Sequence, residues 1–475
     1  MKRVILLFTI AILITSGCQH NQKIHKAKYI FLFIGDGMGL QQVNTTQVYL
    51  DSVVKKNQKL SFIDFPVQTF ATTYAADRYI TCSAAAGTAL STGSKTSIGT
   101  LGLNYNHTDS LFSIAKTFKE KGYKVGILTS VSIDHATPAA FYTHQGSRGS
   151  NYDIAKDIFK SNYDFFASGG FLDPEGKDLK KDVESIFKMG IKYSTAFTSK
   201  IDSIDSLKKI FKTVVYSIPF PAQESTLKYE IDRDSSDISL ATLTKKAIQL
   251  LNNPNGFFMM VEGGKIDWAC HSNDGATTIY EVKAFSDAIN EAIEFYKNHQ
   301  DETLIVITAD HETGGFSIGN KENKYSNHLQ LLQYQKISED ELQNIIRGEL
   351  KKTPKPTAKA ILEIVKSKTG LGNAELGLAL NEKELKQITE SYNSSIKSTD
   401  KQKNVKQTYL SEPKETITTT CIDIINKKAG IGWTSTAHTG SPVPVYVLGA
   451  GSDLFTGRID NTDIPKKILK AATDR

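Results

Sequence analysis

Five stretches of the chain are apolar almost without a break: Tyr29 to Ile34, Lys124 to Thr129, Phe257 to Val261, Leu304 to Thr308 and Val443 to Leu448. Runs without polar alternation suit strands buried on both faces, the habit of a parallel sheet. Between them the apolar period lengthens. After Gly275, residues Val282, Phe285, Ile289, Ile293 and Tyr296 recur at three- and four-residue steps, which predicts one buried helix face. Strands that alternate with helices predict an α/β fold: a doubly wound, largely parallel central sheet with helices on both faces.

Several of these strands run straight into polar residues. Ile34 leads into Gly35-Asp36-Gly37-Met38-Gly39, Val261 into Glu262, and Thr308 into Asp310-His311. Open α/β sheets build their sites at that edge. The pattern breaks over 321–428, a stretch rich in lysine and glutamate, helical in places and interrupted by Pro354 and Pro356. It reads as a partly helical subdomain inserted between two parts of one core, 28–320 and 429–475.

The chain begins differently. Lys2-Arg3 precedes the apolar run Val4 to Ile14 and the small-residue stretch Thr15-Ser16-Gly17-Cys18, which predicts a signal peptide over 1–18 and a polar linker over 19–27. About eleven apolar residues are too few to span a bilayer comfortably. Gly17-Cys18 resembles a bacterial lipobox, although Thr15 sits where that motif usually has leucine. A lipid anchor at Cys18 would place the protein at the periplasm or outer cell surface, with simple secretion as the alternative. Without Cys18, the odd set Cys82, Cys270 and Cys421 speaks against a disulfide framework. One pair with a free thiol and three buried thiols both remain open.

Composition changes little. Apolar residues at 40% and charged ones at 23% are ordinary for a folded protein and exclude general disorder. The net charge of +6 comes from scattered lysines rather than a basic block, so no specific nucleic-acid partner is expected. The length admits one large α/β core with insertions as readily as several domains.

Candidate chemistry concentrates at the strand ends. Asp267 and His271 lie four apart, on one face if that turn is helical, so a carboxylate and an imidazole can converge on one ion. Asp310-His311 closes a buried strand, and Asp36, Glu262 and His438 add further oxygen and nitrogen donors. The set matches zinc's preference for imidazole and carboxylate, with hard oxygens left over for magnesium. Read blandly, the acids are helix caps and His438 a loop histidine. Ser83 lies in Thr81-Cys82-Ser83-Ala84-Ala85-Ala86-Gly87-Thr88-Ala89, a small-residue run that predicts the start of a tightly packed helix. It is either an N-cap or a nucleophile beside amide groups that favour an anion. Arg148, beyond Thr137-Pro138-Ala139-Ala140 and a short helix, is either a surface residue or a planar fork for two phosphate oxygens.

With these motifs in this order, the sequence resembles the alkaline phosphatase family. The resembling stretches are Ile34 to Gly39, Ser83-Ala84-Ala85, Ala136 to Ala140, Val261-Glu262-Gly263, Asp267 with His271, Thr308 to His311 and His438-Thr439-Gly440. The resemblance implies a phosphoric monoester hydrolase with two zinc ions and one magnesium, acting on small phosphate monoesters. It makes Ser83 the nucleophile and Arg148 the phosphate clamp. Asp267, His271 and His438 would hold one zinc, and Asp36, Asp310 and His311 the other. Asp36, Thr137 and Glu262 would hold magnesium. His135 and Trp268 occupy positions that vary in the family and tune magnesium and phosphate binding, and a homodimer is among the assemblies it allows. Cys82 stands where some members carry an aspartate that orients the arginine, which leaves the partner of Arg148 open. His144 and His299 are given no role.

Three other functions compete. A phosphodiesterase or nucleotide pyrophosphatase of the same superfamily would share the zinc half of the pattern, but generally lacks the half represented by Arg148, Thr137 and Glu262. A sulfatase is disfavoured because Cys82-Ser83-Ala84 lacks the proline and arginine of that nucleophile motif. A non-catalytic, phosphate-binding surface lipoprotein would have little reason to keep every ligand and the nucleophile.

Overall fold

The structure, a computed structural model, describes residues 26–54, 58–179, 182–218, 225–353, 356–399 and 416–473. The predicted leader with Cys18, the linker up to residue 25, and Pro354 lie outside the described residues. In chain order the strands are β1 (Tyr29–Gly35), β2 (Val67–Thr72), β3 (Lys124–Thr129), β4 (Phe165–Ala167), β5 (Thr195–Thr198), β6 (Thr213–Tyr216), β7 (Phe257–Gly263), β8 (Thr303–Thr308), β9 (Glu312–Thr313), β10 (Ser317–Ile318), β11 (Ile431–Gly432), β12 (His438–Thr439), β13 (Val443–Gly449) and β14 (Ile459–Asp460). Ten of them form one sheet in the order β14-β2-β13-β8-β1-β7-β3-β4-β6-β5. The others make two small antiparallel pairs, β9 with β12 and β10 with β11.

The central strands are those the apolar runs predicted, and every residue of β1, β7 and β8 is buried. Successive strand side chains face opposite ways, and adjacent phenylalanines on β7 show what lies on each side. Phe257 meets Phe295 of the helix Gly275–Asn298 at 5.6 Å, while Phe258 stacks on Phe118 of the helix Ile114–Glu120 at 5.3 Å. Helices therefore cover both faces, and an alternating sequence in these strands would have left one face unsatisfied.

Register decides where the acids go. In the parallel pairings of β1, Ile34 stands level with Glu262 of β7 on one side and with Thr308 of β8 on the other. Asp36 and Asp310 each follow two residues beyond that level, so three carboxylates leave the sheet at one edge. β13 departs from the parallel pattern and runs antiparallel to both β2 and β8. The cause is local. Pairing of β12 with β9 pins His438 at the acidic edge, so a strand starting a few residues later must run away from it.

Residues 329–431 gather a second apolar cluster, which includes Leu342, Ile361, Val365, Ile388, Cys421 and Ile425 and reaches Tyr49, Ala276 and Ile279. Its helices are Glu339–Lys352, Ala358–Thr369, Glu382–Thr399 and Ile417–Ala429. Cys82, Cys270 and Cys421 are all free thiols, Cys82 half-buried and the others buried. No helix among the described residues is long and apolar enough to cross a membrane.

Candidate active site and metal centre

Asp36 sits directly after β1 in a turn that requires glycine. Gly37 has φ +71°, and a Cβ there would lie 2.8 Å from Thr313 Oγ1 and 2.9 Å from Asp267 Cα. That close approach lets the strand end, the helix Lys265–His271 and the loop after β8 share one small volume.

Three sets of donors converge in it. Atoms of Asp267, His271 and His438 lie within 4.8 Å of one another, as do those of Asp36, Asp267 and His311, and those of Asp36, His135 and Glu262. The helical spacing puts His271 Nε2 3.3 Å from Asp267 Oδ2, and His438 Nε2 lies 3.2 Å from His271 Nε2. Asp310 Oδ2 is 3.2 Å and Asp36 Oδ1 3.4 Å from His311 Nε2. Thr137 donates to Asp36 Oδ2 at 3.2 Å, and Thr129 donates to Glu262 Oε2. Every metal-ligand candidate from the sequence is thus brought together. The His271 and His438 side chains are 24% and 15% exposed while Asp36, Glu262, Asp310 and His311 are buried, so the site opens to solvent on the His271 side.

The electrostatics are those of a site built for cations. Burial, then the charges of Asp310, Asp267 and Glu262, push the Asp36 carboxyl well above the usual range. Burial likewise raises Glu262 to about 7 and Asp310 to about 8, with Asp267 adding to both. Asp267 goes the other way: burial would raise it, but His271, His438 and His311 together hold it well below the ordinary value. Asp36 Oδ1, Glu262 Oε1 and Asp310 Oδ2 are buried and accept no hydrogen bond. Buried carboxylate oxygens without donors, crowded by like charge, are costly unless a cation completes them. Two imidazole-and-carboxylate sets fit zinc, and the oxygens of Asp36, Glu262 and Thr137 fit magnesium.

Ser83 is the first residue of the helix Ser83–Thr92, and the N-cap is Cys82, which makes no side-chain cap. The capping reading of Ser83 therefore fails. Its hydroxyl is buried and 3.2 Å from His311 Nε2, at the edge of the donor cluster. Arg148 follows the single helical turn Ala136–Ala139 and a loop anchored by its own N–H on Gly99 O at 2.8 Å; Gly99 N in turn donates to Cys82 Sγ at 3.2 Å. Its guanidinium meets an imidazole: Arg148 Nη2 donates to His135 Nε2 at 3.0 Å. A guanidinium only donates, so His135 accepts there and is neutral, consistent with burial and the arginine charge lowering it to about 3. The Trp268 ring stands edge-on to His135 at 6.1 Å. His144 packs on Phe112 and His299 on Phe295, away from the donor cluster.

Sequence reasoning missed the residues that hold the candidate ligands in place. Thr313 Oγ1 donates to Asp267 Oδ1 at 2.5 Å and meets His311 Nδ1 at 3.2 Å. Glu312 is buried and accepts from Gln42, Gly315 N, Phe316 N and Thr439, joining β9 to β12. His438 Nδ1 bonds to Thr81 O and His271 Nδ1 to Thr436 O. Contiguity with Asp310-His311 was the only sequence signal for Glu312 and Thr313. The other contacts come from backbone carbonyls, which no side-chain pattern encodes.

The family model for alkaline phosphatase matches residues 27–164 and 221–473. Alkaline phosphatase 4 of Bacillus subtilis is 32% identical over 453 residues, covering 93% of this chain and 88% of the relative. The cold-active alkaline phosphatase of Shewanella sp. superposes with a TM-score of 0.76 at 28% identity, over 94% of this chain and 100% of that one. A histidine-to-aspartate mutant of the alkaline phosphatase of the Antarctic bacterium TAB5, described with magnesium bound in its M3 site, matches with a TM-score of 0.64 at 25% identity. There the shares covered are 95% and 99%.

Proposed function

The chain belongs to the alkaline phosphatase family, and from that premise we propose that it hydrolyses phosphate monoesters through a phosphoserine formed on Ser83, at a site for two zinc ions and one magnesium. The observation that carries the reading is the convergence of three donor sets, linked through Asp36 and Asp267, with the Ser83 hydroxyl against His311. Asp267, His271 and His438 would hold one zinc, Asp36, Asp310 and His311 the second, and Asp36, Thr137 and Glu262 the magnesium. Bound there, the ions supply Lewis acidity, lowering the pKa of a hydroxyl or water and stabilising negative oxygen.

The rest belongs to the chain's own residues. Ser83 Oγ attacks phosphorus from the N-terminus of its helix, where the amide dipoles favour a developing anion. The bond to the ester oxygen breaks, and the alcohol leaves on the open side of the site beside His271 and His438. Water then cleaves the phosphoserine. Arg148, held by His135, clamps two phosphate oxygens in ground and transition states alike.

Hydrolysis of p-nitrophenyl phosphate and of bis-p-nitrophenyl phosphate, each with and without chelator, tests this reading. The monoester should be strongly preferred, chelator should abolish turnover, and Ser83→Ala should lower it on the order of a thousandfold or more at unchanged metal content. Diester cleavage at the monoester rate would turn the assignment to a phosphodiesterase. Turnover that survives both chelator and Ser83→Ala would end it.

A further inference from the structure

His271 ends its helix, and the turn that follows returns the chain into the long helix Gly275–Asn298 through Asn273, whose φ is +49°. Much of what fastens this turn comes from residues of the 321–428 segment. Asn426, on the helix Ile417–Ala429 and 2% exposed, donates from Nδ2 to Asn273 O at 2.6 Å and accepts at Oδ1 from Gly275 N at 3.3 Å. A Cβ at Gly275 would lie 2.6 Å from Asn426 Oδ1, so the approach is as close as glycine allows. Gln335, 1% exposed, donates from Nε2 to both Asp274 oxygens at 2.8 and 3.0 Å, and Glu339 N donates to Asp274 Oδ2 at 2.8 Å. Asp274 passes this restraint on by capping the long helix through Thr277 N at 3.0 Å.

The other imidazole of the solvent-facing donor set hangs from the same element. The helix Ile417–Ala429 runs through Gly430 into β11 and then into the loop that carries His438. Cross-links close the frame: Asn273 Nδ2 donates to Ser435 O at 2.9 Å, and His271 Nδ1 bonds to Thr436 O at 2.5 Å. Asn426 thus braces the His271 turn from the helix that delivers His438.

We propose that the 321–428 segment is the positioning scaffold of the solvent-facing metal site, with Asn426 and Gln335 as the positioning residues that set His271 against His438. The proposal rests on the reading of Asp267, His271 and His438 as the ligands of one zinc. Loss of the Asn426 amide leaves a part-buried carbonyl and a buried N–H unpaired, which the turn relieves by moving.

The test is zinc release from the metal-loaded, full-length protein to a chromophoric chelator, with metal content measured beside it. Asn426→Ala should release one zinc equivalent about tenfold faster than the unaltered protein and leave the second unchanged, the size of effect expected when a ligand's supporting contact is lost. Gln335→Met should act in the same direction. Ile388→Val, a packing change in the same segment that removes none of the turn's hydrogen bonds, should lower thermal stability without altering release. If Asn426→Ala does not fold, Asn426→Asp keeps the acceptor for Gly275 N, loses the donor to Asn273 O, and should still speed release of one equivalent. Release superimposable on that of the unaltered protein in the Asn426 variants overturns the positioning role. An unaltered protein that takes up no zinc overturns instead the ligand assignment beneath it.

Discussion

His135 stands between the arginine that would hold phosphate and the acids that would hold magnesium. It is neutral, it accepts from Arg148, and its ring lies in the donor set of Asp36 and Glu262. A carboxylate there would add a negative charge facing the magnesium site, whereas imidazole adds none, so magnesium should be held loosely. The purified protein should therefore be activated by added magnesium, and His135→Asp should bind the ion more tightly and lose that activation. Superimposable magnesium titrations of activity for the two proteins would remove His135 from any part in tuning the metal. At this scale the sequence was most legible where a polar residue closes an apolar run: Asp36, Glu262 and Asp310 stand out because each comes at the end of such a run. Asn426 and Gln335 were illegible. Each lies in a helical or polar stretch where its residue type is commonplace, and its meaning comes only from a contact 61 to 153 positions away.

Glu339 opens the helix Glu339–Lys352 almost fully buried, accepts from Thr418 on the helix Ile417–Ala429, and so joins two elements of the second apolar cluster. Burial raises its carboxyl from the ordinary 4.5 to about 7. In that window the unfolded chain has given up the proton and the folded chain keeps it, so stability falls as pH rises from 4.5 to about 7 and is level above. The contribution is on the order of 3 kcal/mol. Glu339→Gln should flatten this part of the stability profile, read as the difference between the two proteins in urea unfolding across the window. Parallel profiles would mean that the carboxyl ionises freely in the folded state. Elements were legible in proportion to their burial and length. β1, β3, β7, β8 and β13 are long and buried; β4 has three residues, and β2 lies towards the sheet edge with alternate positions exposed, so neither offers an apolar run. The direction of β13 could not be read at all, because it follows from where His438 is pinned.

For the whole molecule, the crowded carboxylates make metal a structural partner as well as a chemical one. Ions that bind only the folded chain stabilise it by mass action, so chelator should lower the thermal midpoint by several degrees, and zinc with magnesium should restore it. A midpoint indifferent to proven metal loss would show that the acids are tolerated as they stand. We also expect the protein to be exported and anchored through Cys18, and to fractionate with membranes until Cys18 is replaced; an unmodified N-terminus downstream of Cys18 by mass spectrometry would leave simple secretion. The span of the site along the chain bears on when it can exist. Thr81 and His438 face each other across 357 positions, and Gly37 and Asp310 across 273. Ribosomes deliver a chain from its N-terminus, and closure of such long loops comes late and slowly. No partly made chain can hold the full complement of metal, because the last imidazole arrives when nearly everything else has been synthesised. On the proposed zinc and magnesium assignment, loading would therefore wait until His438 has been made, and would be governed by the metal supply of the compartment where folding ends.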